Sequence, residues 1–248
     1  MKKKTTKEAP RESTDDLPLF YAPLFRSTAL LPPDESKHAA RVLRLPEGAP
    51  ILVTDGKGSL CSARIAGVRE GEIALTDLIE MPAHTASLPP LHIAIAPTKN
   101  SDRTEWLIEK MVEVGLAKIT LLYTERTVRR HVNIARLEKV MISALKQSRK
   151  RFVTEIAESP SVEALLREHA EKAYIGYCGD EFPKKAIREA FVPGKPSLFL
   201  IGPEGDFTPD EVRTALDLGA TAVTLGEERL RTETAGLYAG ILHTVLNS

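Results

Sequence analysis

After Leu91 the chain alternates short β-branched runs with amphipathic ones, and this rhythm restricts the fold more than any other feature of the sequence. The runs LHIAIAPT, KITLLYT, KAYIGYC, PSLFLIG and TAVTLG have the length and apolar content of strands. Helical spacing appears near Asp102–Leu116, Asn133–Lys150, Ser161–His169, Pro183–Ala190, Pro209–Leu218 and Thr232–Leu246. Strands separated by helices pair in parallel, and a parallel sheet is covered on both faces. The expectation for residues 91–248 is therefore an α/β fold. Ligands of such sheets sit beyond the carboxyl ends of the strands, so GPEG after one strand and LGEERLRTETAG after the next mark the site.

Upstream the texture differs. Between residues 17 and 80, APILVTDG, SLCSARIAGV and GEIALTDLI are separated by DGKG and REGE turn signals, which predicts a small antiparallel barrel or sandwich. Within it DESKHAARVLRL has helical spacing, with Ala39, Val42, Leu43 and Leu45 as apolar contacts and Lys37, Arg41 and Arg44 on the polar side. EMPAHTASLPP, rich in Pro, Ala and Ser, places a linker at residues 81–90. Residues 1–16 begin basic but lead into no apolar segment and read as a flexible, solvated tail. No run approaches the roughly 20 apolar residues of a membrane span, so no membrane partner is expected.

GPEG has the wrong chemistry for a phosphate. Glu204 and Asp206 would repel one, Pro203 has no N–H to offer, and neither G-x-G-x-x-G nor G-x-x-x-x-G-K-[ST] is present. Gly202, Gly205 and Gly226 let backbone approach a small ligand closely, and Thr232, Thr234 or Glu233 can orient it. Carboxylates and carbonyls suit a cationic or zwitterionic ligand such as S-adenosylmethionine. The same residues equally fit an ordinary helix start, with Thr232 as cap and Glu233 favouring the positive end of the helix dipole.

Basic and acidic residues balance at 34 each, so an anionic partner must be met by a local patch. One exists. Arg126, Arg129, Arg130, Arg136, Lys139, Lys146, Arg149, Lys150 and Arg151 face a single acid, Glu138, which predicts a footprint for a nucleic-acid backbone. Ile134, Leu137, Met141, Ala144 and Leu145 form an apolar stripe in the same segment, so a solvated helix face also accounts for the cations. Cys61 and Cys178 lie far apart without metal-ligand spacing and read as buried free thiols in a reducing cytoplasm. His38, His84, His92, His131, His169 and His243 are scattered, and no metal site is expected.

HAARVLRLPEGA, EKMVEVGLAKITLLYTERTVRR, ALKQSRKR, LFLIGPEGDFTPDEV and LGEERLRTETAG together resemble the successive motifs of the RsmE family, bacterial 16S rRNA uridine-N3 methyltransferases of the SPOUT class. The resemblance spans nearly the whole chain after the tail, and its two C-terminal motifs are specific as a pair. It implies a PUA-like RNA-binding β-barrel at 17–80 and, at 91–248, a SPOUT-type parallel sheet with a C-terminal trefoil knot. It also implies a homodimer acting on 16S rRNA or the small ribosomal subunit in the cytoplasm. By position, Gly202, Pro203, Glu204 and Gly205 form one wall of an S-adenosylmethionine pocket, with Leu225, Gly226, Leu230, Thr232, Glu233, Thr234 and Ala235 in the other. Asp206 departs from the glycine usual in the family, and EERLR replaces an arginine-led pattern, moving one arginine to Arg229.

Methylation at uracil N3 requires loss of its proton and stabilisation of the resulting anion. Arg231 or Arg229 fits the second task, and Glu204 the first if burial raises its pKa. Arg126, Arg129, Arg130, Lys146, Arg149, Lys150 and Arg151, with Lys37, Arg41 and Arg44, are the expected RNA contacts. A SPOUT methyltransferase with another RNA target, such as a ribose 2′-OH, and a non-catalytic RNA-binding module are the alternative readings.

Overall fold

The computed structural model describes residues 16–82, 88–169 and 171–248. The expected tail, Asp16 apart, lies outside the described residues, as does the middle of the linker. Packing divides the chain into two units, Met1–Ala83 and His84–Ser248.

The first unit runs β1 (Leu19–Tyr21), α1 (Phe25–Thr28), α2 (Pro33–Lys37), a π-helical turn (His38–Val42), β2 (Pro50–Thr54), β3 (Leu60–Arg69) and β4 (Glu72–Glu80). The strands form one sheet in the order β1-β2-β3-β4. The DGKG and REGE turns produce antiparallel neighbours, β2 with β3 and β3 with β4. The expectation of a wholly antiparallel unit is corrected at β1, which pairs parallel with β2. Both helices lie between those two strands and supply the long connection that parallel pairing needs. Phe20, Phe25, Leu31, Ile51, Val53 and Ile65 fill the core.

The helix expected over DESKHAARVLRL is also corrected. It changes to π geometry after Lys37, which shifts the following side chains off the α-helical period. Ala39 and Leu45 still join the core, whereas Val42 is 66% exposed and Leu43 40% exposed.

The second unit continues with β5 (Leu91–Ile95), α3 (Ser101–Glu113), β6 (Lys118–Leu122), α4 (Ile134–Gln147), β7 (Glu155–Ser159), α5 (Val162–Glu168) and β8 (Lys172–Gly176). It ends with β9 (Lys185–Ala186), α6 (Ile187–Ala190), β10 (Ser197–Ile201), α7 (Pro209–Asp217), β11 (Thr221–Thr224) and α8 (Thr232–Asn247). Its seven strands lie in the order β7-β6-β5-β10-β8-β11-β9, and every pair is parallel. The central strand β10 is buried throughout, and its alternate side chains serve two cores. Phe199 and Ile201 pack with Leu107 and Met111 of α3 and Leu137 of α4, while Leu198 and Leu200 pack with Leu165 of α5 and Val212 of α7.

Two strands escape the sequence pattern. β7 carries exposed Glu155 and Glu158, and β9 has only two residues. Both are sheet edges, where one-sided burial does not require a continuous apolar run. The helix expected at Pro183–Ala190 is correspondingly shortened to Ile187–Ala190, because Lys185 and Ala186 pair with Val223 and Thr224. On α8 the glycines permit close packing: a Cβ at Gly236 would lie 2.9 Å from Ile95 Cδ1 and one at Gly240 2.6 Å from Met111 Cε. Among the described residues no helix is long and apolar enough to cross a membrane.

Helix starts follow the sequence closely. Asn100, Asn133 and Ser161 cap α3, α4 and α5 with their side chains. α7 begins with a full capping box, in which Thr208 accepts from the Glu211 N–H and Glu211 from that of Thr208. Glu211 also accepts from the Glu125 N–H at 2.9 Å, tying the helix to the loop after β6. Thr208→Ala is expected to cost about 1 kcal/mol, and Glu211→Ala more, read as shifts of the urea midpoint at unchanged slope.

Candidate functional site

The strand order places β10, β8 and β11 side by side, so the loops at their carboxyl ends converge. They enclose a cavity of about 810 Å³. The first wall is the turn after β10. Its opening residue is tightly packed, since a Cβ on Gly202 would lie 3.1 Å from the Phe207 ring and 3.2 Å from the Phe207 nitrogen and would press both outward. Asp206 has a left-handed φ of 61°, a conformation that glycine adopts freely and Asp tolerates. Its carboxylate also binds locally, accepting from the Phe207 N–H at 2.8 Å and from the Cys178 N–H at 3.0 Å. Asp206 thereby clamps the loop after β8 to the loop after β10.

The second wall runs from the end of β11 into α8. Gly226 has φ 147° and open space where a Cβ would stand. Thr224 Oγ1 donates to the Gly226 carbonyl at 2.6 Å and folds the turn. Thr232 does not cap α8. Arg231 occupies the cap position without a side-chain bond, and Thr232 Oγ1 donates instead to the Gly202 carbonyl at 3.2 Å. That bond joins the two walls. Glu233, in the first turn of α8, is only 7% exposed and stands 3.6 Å from Arg103 Nη1.

Of the residues expected around a methyl donor, all line this cavity except Thr234, which is exposed on the other side of the helix start. Arg229 and Arg231 line it as well and are exposed. Glu204 also lines it but is exposed, and its Oε1 accepts from the Lys99 N–H at 3.0 Å. The burial that would fit Glu204 to take a proton is absent. A third group of lining residues was not anticipated: Arg103, Tyr177, Cys178, Gly179 and Lys184. Arg103 stands on α3, whereas the other four belong to the segment after β8, and nothing local in GYCGDE announces that β8 lies between β10 and β11. Cys178 is exposed there, which corrects the expectation of two buried thiols; Cys61 is buried. Partial burial and the neighbouring Asp206 push the Cys178 thiol pKa up.

Five lining carboxylates (Glu204, Asp206, Glu227, Glu228, Glu233) face four cations (Arg103, Lys184, Arg229, Arg231). Such a mixed lining matches a ligand that carries both signs of charge better than a polyphosphate.

The basic residues fall into two groups in this unit. Arg126, Arg129 and Arg130 follow β6 at the carboxyl end of the sheet and brace nearby turns. Arg126 Nη1 donates to the Gly205 carbonyl at 2.8 Å, Arg129 Nε to the Lys99 carbonyl at 3.3 Å, and Arg130 Nη2 to the Thr124 carbonyl at 2.8 Å. A Cβ on Gly205 would meet Arg126 Cδ at 3.4 Å, an ordinary contact, so the arginine packs directly over this glycine. Beside the cavity lies a depression lined by Lys99, Asn100, Arg103, Val128, Arg129 and Glu204, the last shared with the main cavity, as is Arg103. Lys146, Arg149, Lys150 and Arg151 lie at the far end of α4, about 20 Å away by helix rise. Arg149 has φ 55° just past the end of that helix. In the first unit Lys37, Arg41 and Arg44, at the end of α2, within the π turn and after it, are all exposed.

Residues 86–243 match the RNA methyltransferase domain family and residues 31–78 the RNA methyltransferase PUA domain. The chain belongs to the RNA methyltransferase family so described. A crystal structure of a probable rRNA-methyltransferase from Porphyromonas gingivalis is 38% identical, with a TM-score of 0.85 and coverage of 93% of this chain and 98% of that one. The Ribosomal RNA small subunit methyltransferase E from Neisseria gonorrhoeae, solved bound to S-adenosyl methionine, is 28% identical with a TM-score of 0.81 and the same coverage. A protein of that name from Mycobacterium tuberculosis is 28% identical over 89% of this chain and 88% of its own length.

The bond between the walls can be tested directly. Thr232→Val leaves the Gly202 carbonyl without its hydroxyl partner and is expected to cost about 1–3 kcal/mol, whereas Thr232→Ser keeps the donor and most of the stability. Thermal and urea unfolding of both variants distinguish them.

Proposed function

We propose that this chain methylates N3 of a uridine in 16S rRNA with S-adenosylmethionine as donor, acting in the cytoplasm on free rRNA or the small ribosomal subunit. The observation that carries this reading is the cavity at the ends of β8, β10 and β11, with glycine backbone on two sides and carboxylates and cations interleaved around it. Its residues fit the donor. Gly226 offers open backbone, buried Glu233 suits an ammonium or hydroxyls, and Arg103 and Lys184 suit a carboxylate. Gly202, Pro203, Glu204 and Gly205 would hold one side of it, and Leu225, Gly226, Leu230, Thr232, Glu233 and Ala235 the other. When bound, the donor supplies a methyl group on a sulfonium.

The chain's own part is to bind the base in line and to stabilise charge. Arg231 and Arg229 stand exposed on the cavity lining, where a guanidinium can meet a uracil oxygen that becomes anionic as N3 loses its proton. With Glu204 held in solvent by Lys99, anion stabilisation and alignment carry the chemistry rather than a desolvated base. Lys99, Arg129 and Arg103, around the adjoining depression, lead a phosphate backbone toward the cavity. Lys146, Arg149, Lys150 and Arg151 extend the footprint in this unit, and Lys37, Arg41 and Arg44 are the RNA contacts of the first unit, which we assign to residues 17–80 as a PUA-like RNA-binding barrel joined by a linker at 81–90 to a SPOUT methyltransferase domain at 91–248.

The finer fold and assembly belong to the same proposal. A trefoil knot in the C-terminal part is supported by the return of α8 past the loop after β10, where Thr232 meets Gly202, onto β5, where Gly236 meets Ile95. A homodimer is supported by the apolar residues Tyr238, Ile241 and Val245, spaced along one face of α8 and between 41% and 64% exposed, with Trp106 of α3 at 44%.

Calorimetry is expected to show one S-adenosylmethionine per chain binding without metal, with ATP and NAD binding poorly; nucleotide binding without donor binding contradicts the proposal. Arg231→Lys is expected to keep donor affinity and oligomeric state but to lower single-turnover methylation severely, because an ammonium cannot reproduce the planar fork. Near-normal methylation by that variant moves the role to Arg229. Charge reversal at Lys99 and Arg129 is expected to weaken rRNA binding and flatten its dependence on salt while leaving donor affinity nearly unchanged.

A further inference from the structure

At the amino ends of the strands, opposite the cavity, lies a cluster that no part of the methyl-transfer reading uses. His92 is the second residue of β5, and His169 and Glu171 belong to the connection between α5 and β8. One ligand atom from each of the three lies within 4.8 Å of the other two. His92 is 3% exposed, and its Nε2 is 2.8 Å from Thr120 Oγ1. Its Nδ1 is buried with no hydrogen-bond partner, and so is Glu171 Oε2. Glu171 Oε2 keeps only an ion-pair approach to His169 Nδ1 at 3.4 Å, so an orphaned imidazole nitrogen beside it is a costly arrangement for a protein interior and calls for an occupant.

We propose that His92 Nδ1, His169 and Glu171 form a binding site for a divalent transition metal of the zinc class. Two imidazoles and a carboxylate are a donor set that suits this class, leaving a fourth position for water. The contact of Nε2 with Thr120 has the place of the outer bond that a ligating histidine ordinarily makes: the hydroxyl can accept from Nε2–H in the tautomer that presents the Nδ1 lone pair. The Lys118 charge, which would oppose a cation, is paired with Glu155 at 2.9 Å.

Geometry requires little movement. Metal–ligand bonds of about 2.1 Å in a tetrahedron put ligand atoms about 3.4 Å apart, and His169 Nδ1 already stands 3.4 Å from Glu171 Oε2. Closure needs only that this partly exposed pair rotate toward the fixed His92 ring, whose plane packs edge-on against His169 with centroids 4.7 Å apart. The metal would then clip the connection entering β8 to β5 and, through Thr120, to β6.

The test uses untagged full-length protein, stripped with chelator and dialysed, then titrated with zinc alone. The expected result is one zinc per chain, a higher thermal midpoint with metal than without, and tetrahedral ligand-field bands when cobalt replaces zinc. His169→Ala and Glu171→Gln, both at partly exposed positions, are expected to weaken uptake by roughly tenfold or more while the metal-free proteins keep the wild-type circular dichroism. Absence of stoichiometric uptake by the wild type, or uptake unaffected by both substitutions, overturns the proposal.

Discussion

The hydrogen bond from Thr232 Oγ1 to the Gly202 carbonyl joins the loop after β10 to the start of α8, and the cavity exists only while those two segments stay together. Thr232 is 5% exposed, so the carbonyl it satisfies has no water to replace it. Asp206 performs the matching task on the other side, holding the loop after β8 through the Cys178 N–H. Three segments, those after β8, β10 and β11, are thus fixed to one another by two polar contacts. Both contacts depend on backbone that only certain residues permit: Gly202 under the Phe207 ring, and Asp206 in a left-handed conformation. An acidic residue in a loop of this kind looks at first like a charge placed to meet a ligand, but much of its capacity goes into holding the loop.

The same holds for several arginines. Arg126 supports the Gly205 and Phe207 carbonyls, and Arg130 supports Thr124, so their location beside the cavity has a structural cause before any functional one. A guanidinium carries five donors, and those not engaged with carbonyls stay available to phosphates. The two groups of cations are separated by the length of α4 and so do not form a single stripe.

Much of this fold is legible in the sequence, and the exceptions have physical reasons. The five apolar strands and the longer helices show because burial on both faces imposes an uninterrupted apolar run and capping residues mark the helix starts. β7 and β9 do not show because edge strands lack that requirement. The π turn after Lys37 is invisible to a reading based on a period of 3.6, so Val42 and Leu43 are misassigned to the core. Two walls of the cavity are legible because their glycines and carboxylates are unusual in composition. The third, with Tyr177, Cys178 and Lys184, is not, since strand order in the sheet is a tertiary fact. Residues His92 and His169 are distant in sequence, and only the sheet brings them together.

Methylation of a ribosomal uridine in the cavity at the ends of β8, β10 and β11 is tested most directly by mass spectrometry of nucleosides from the 16S rRNA of a strain lacking this gene. Loss of 3-methyluridine is expected, with its return when the wild-type chain, but not a Gly226→Val variant with a side chain in the proposed donor cavity, is restored. An unchanged 3-methyluridine content, with loss of a ribose-methylated nucleoside instead, would contradict it.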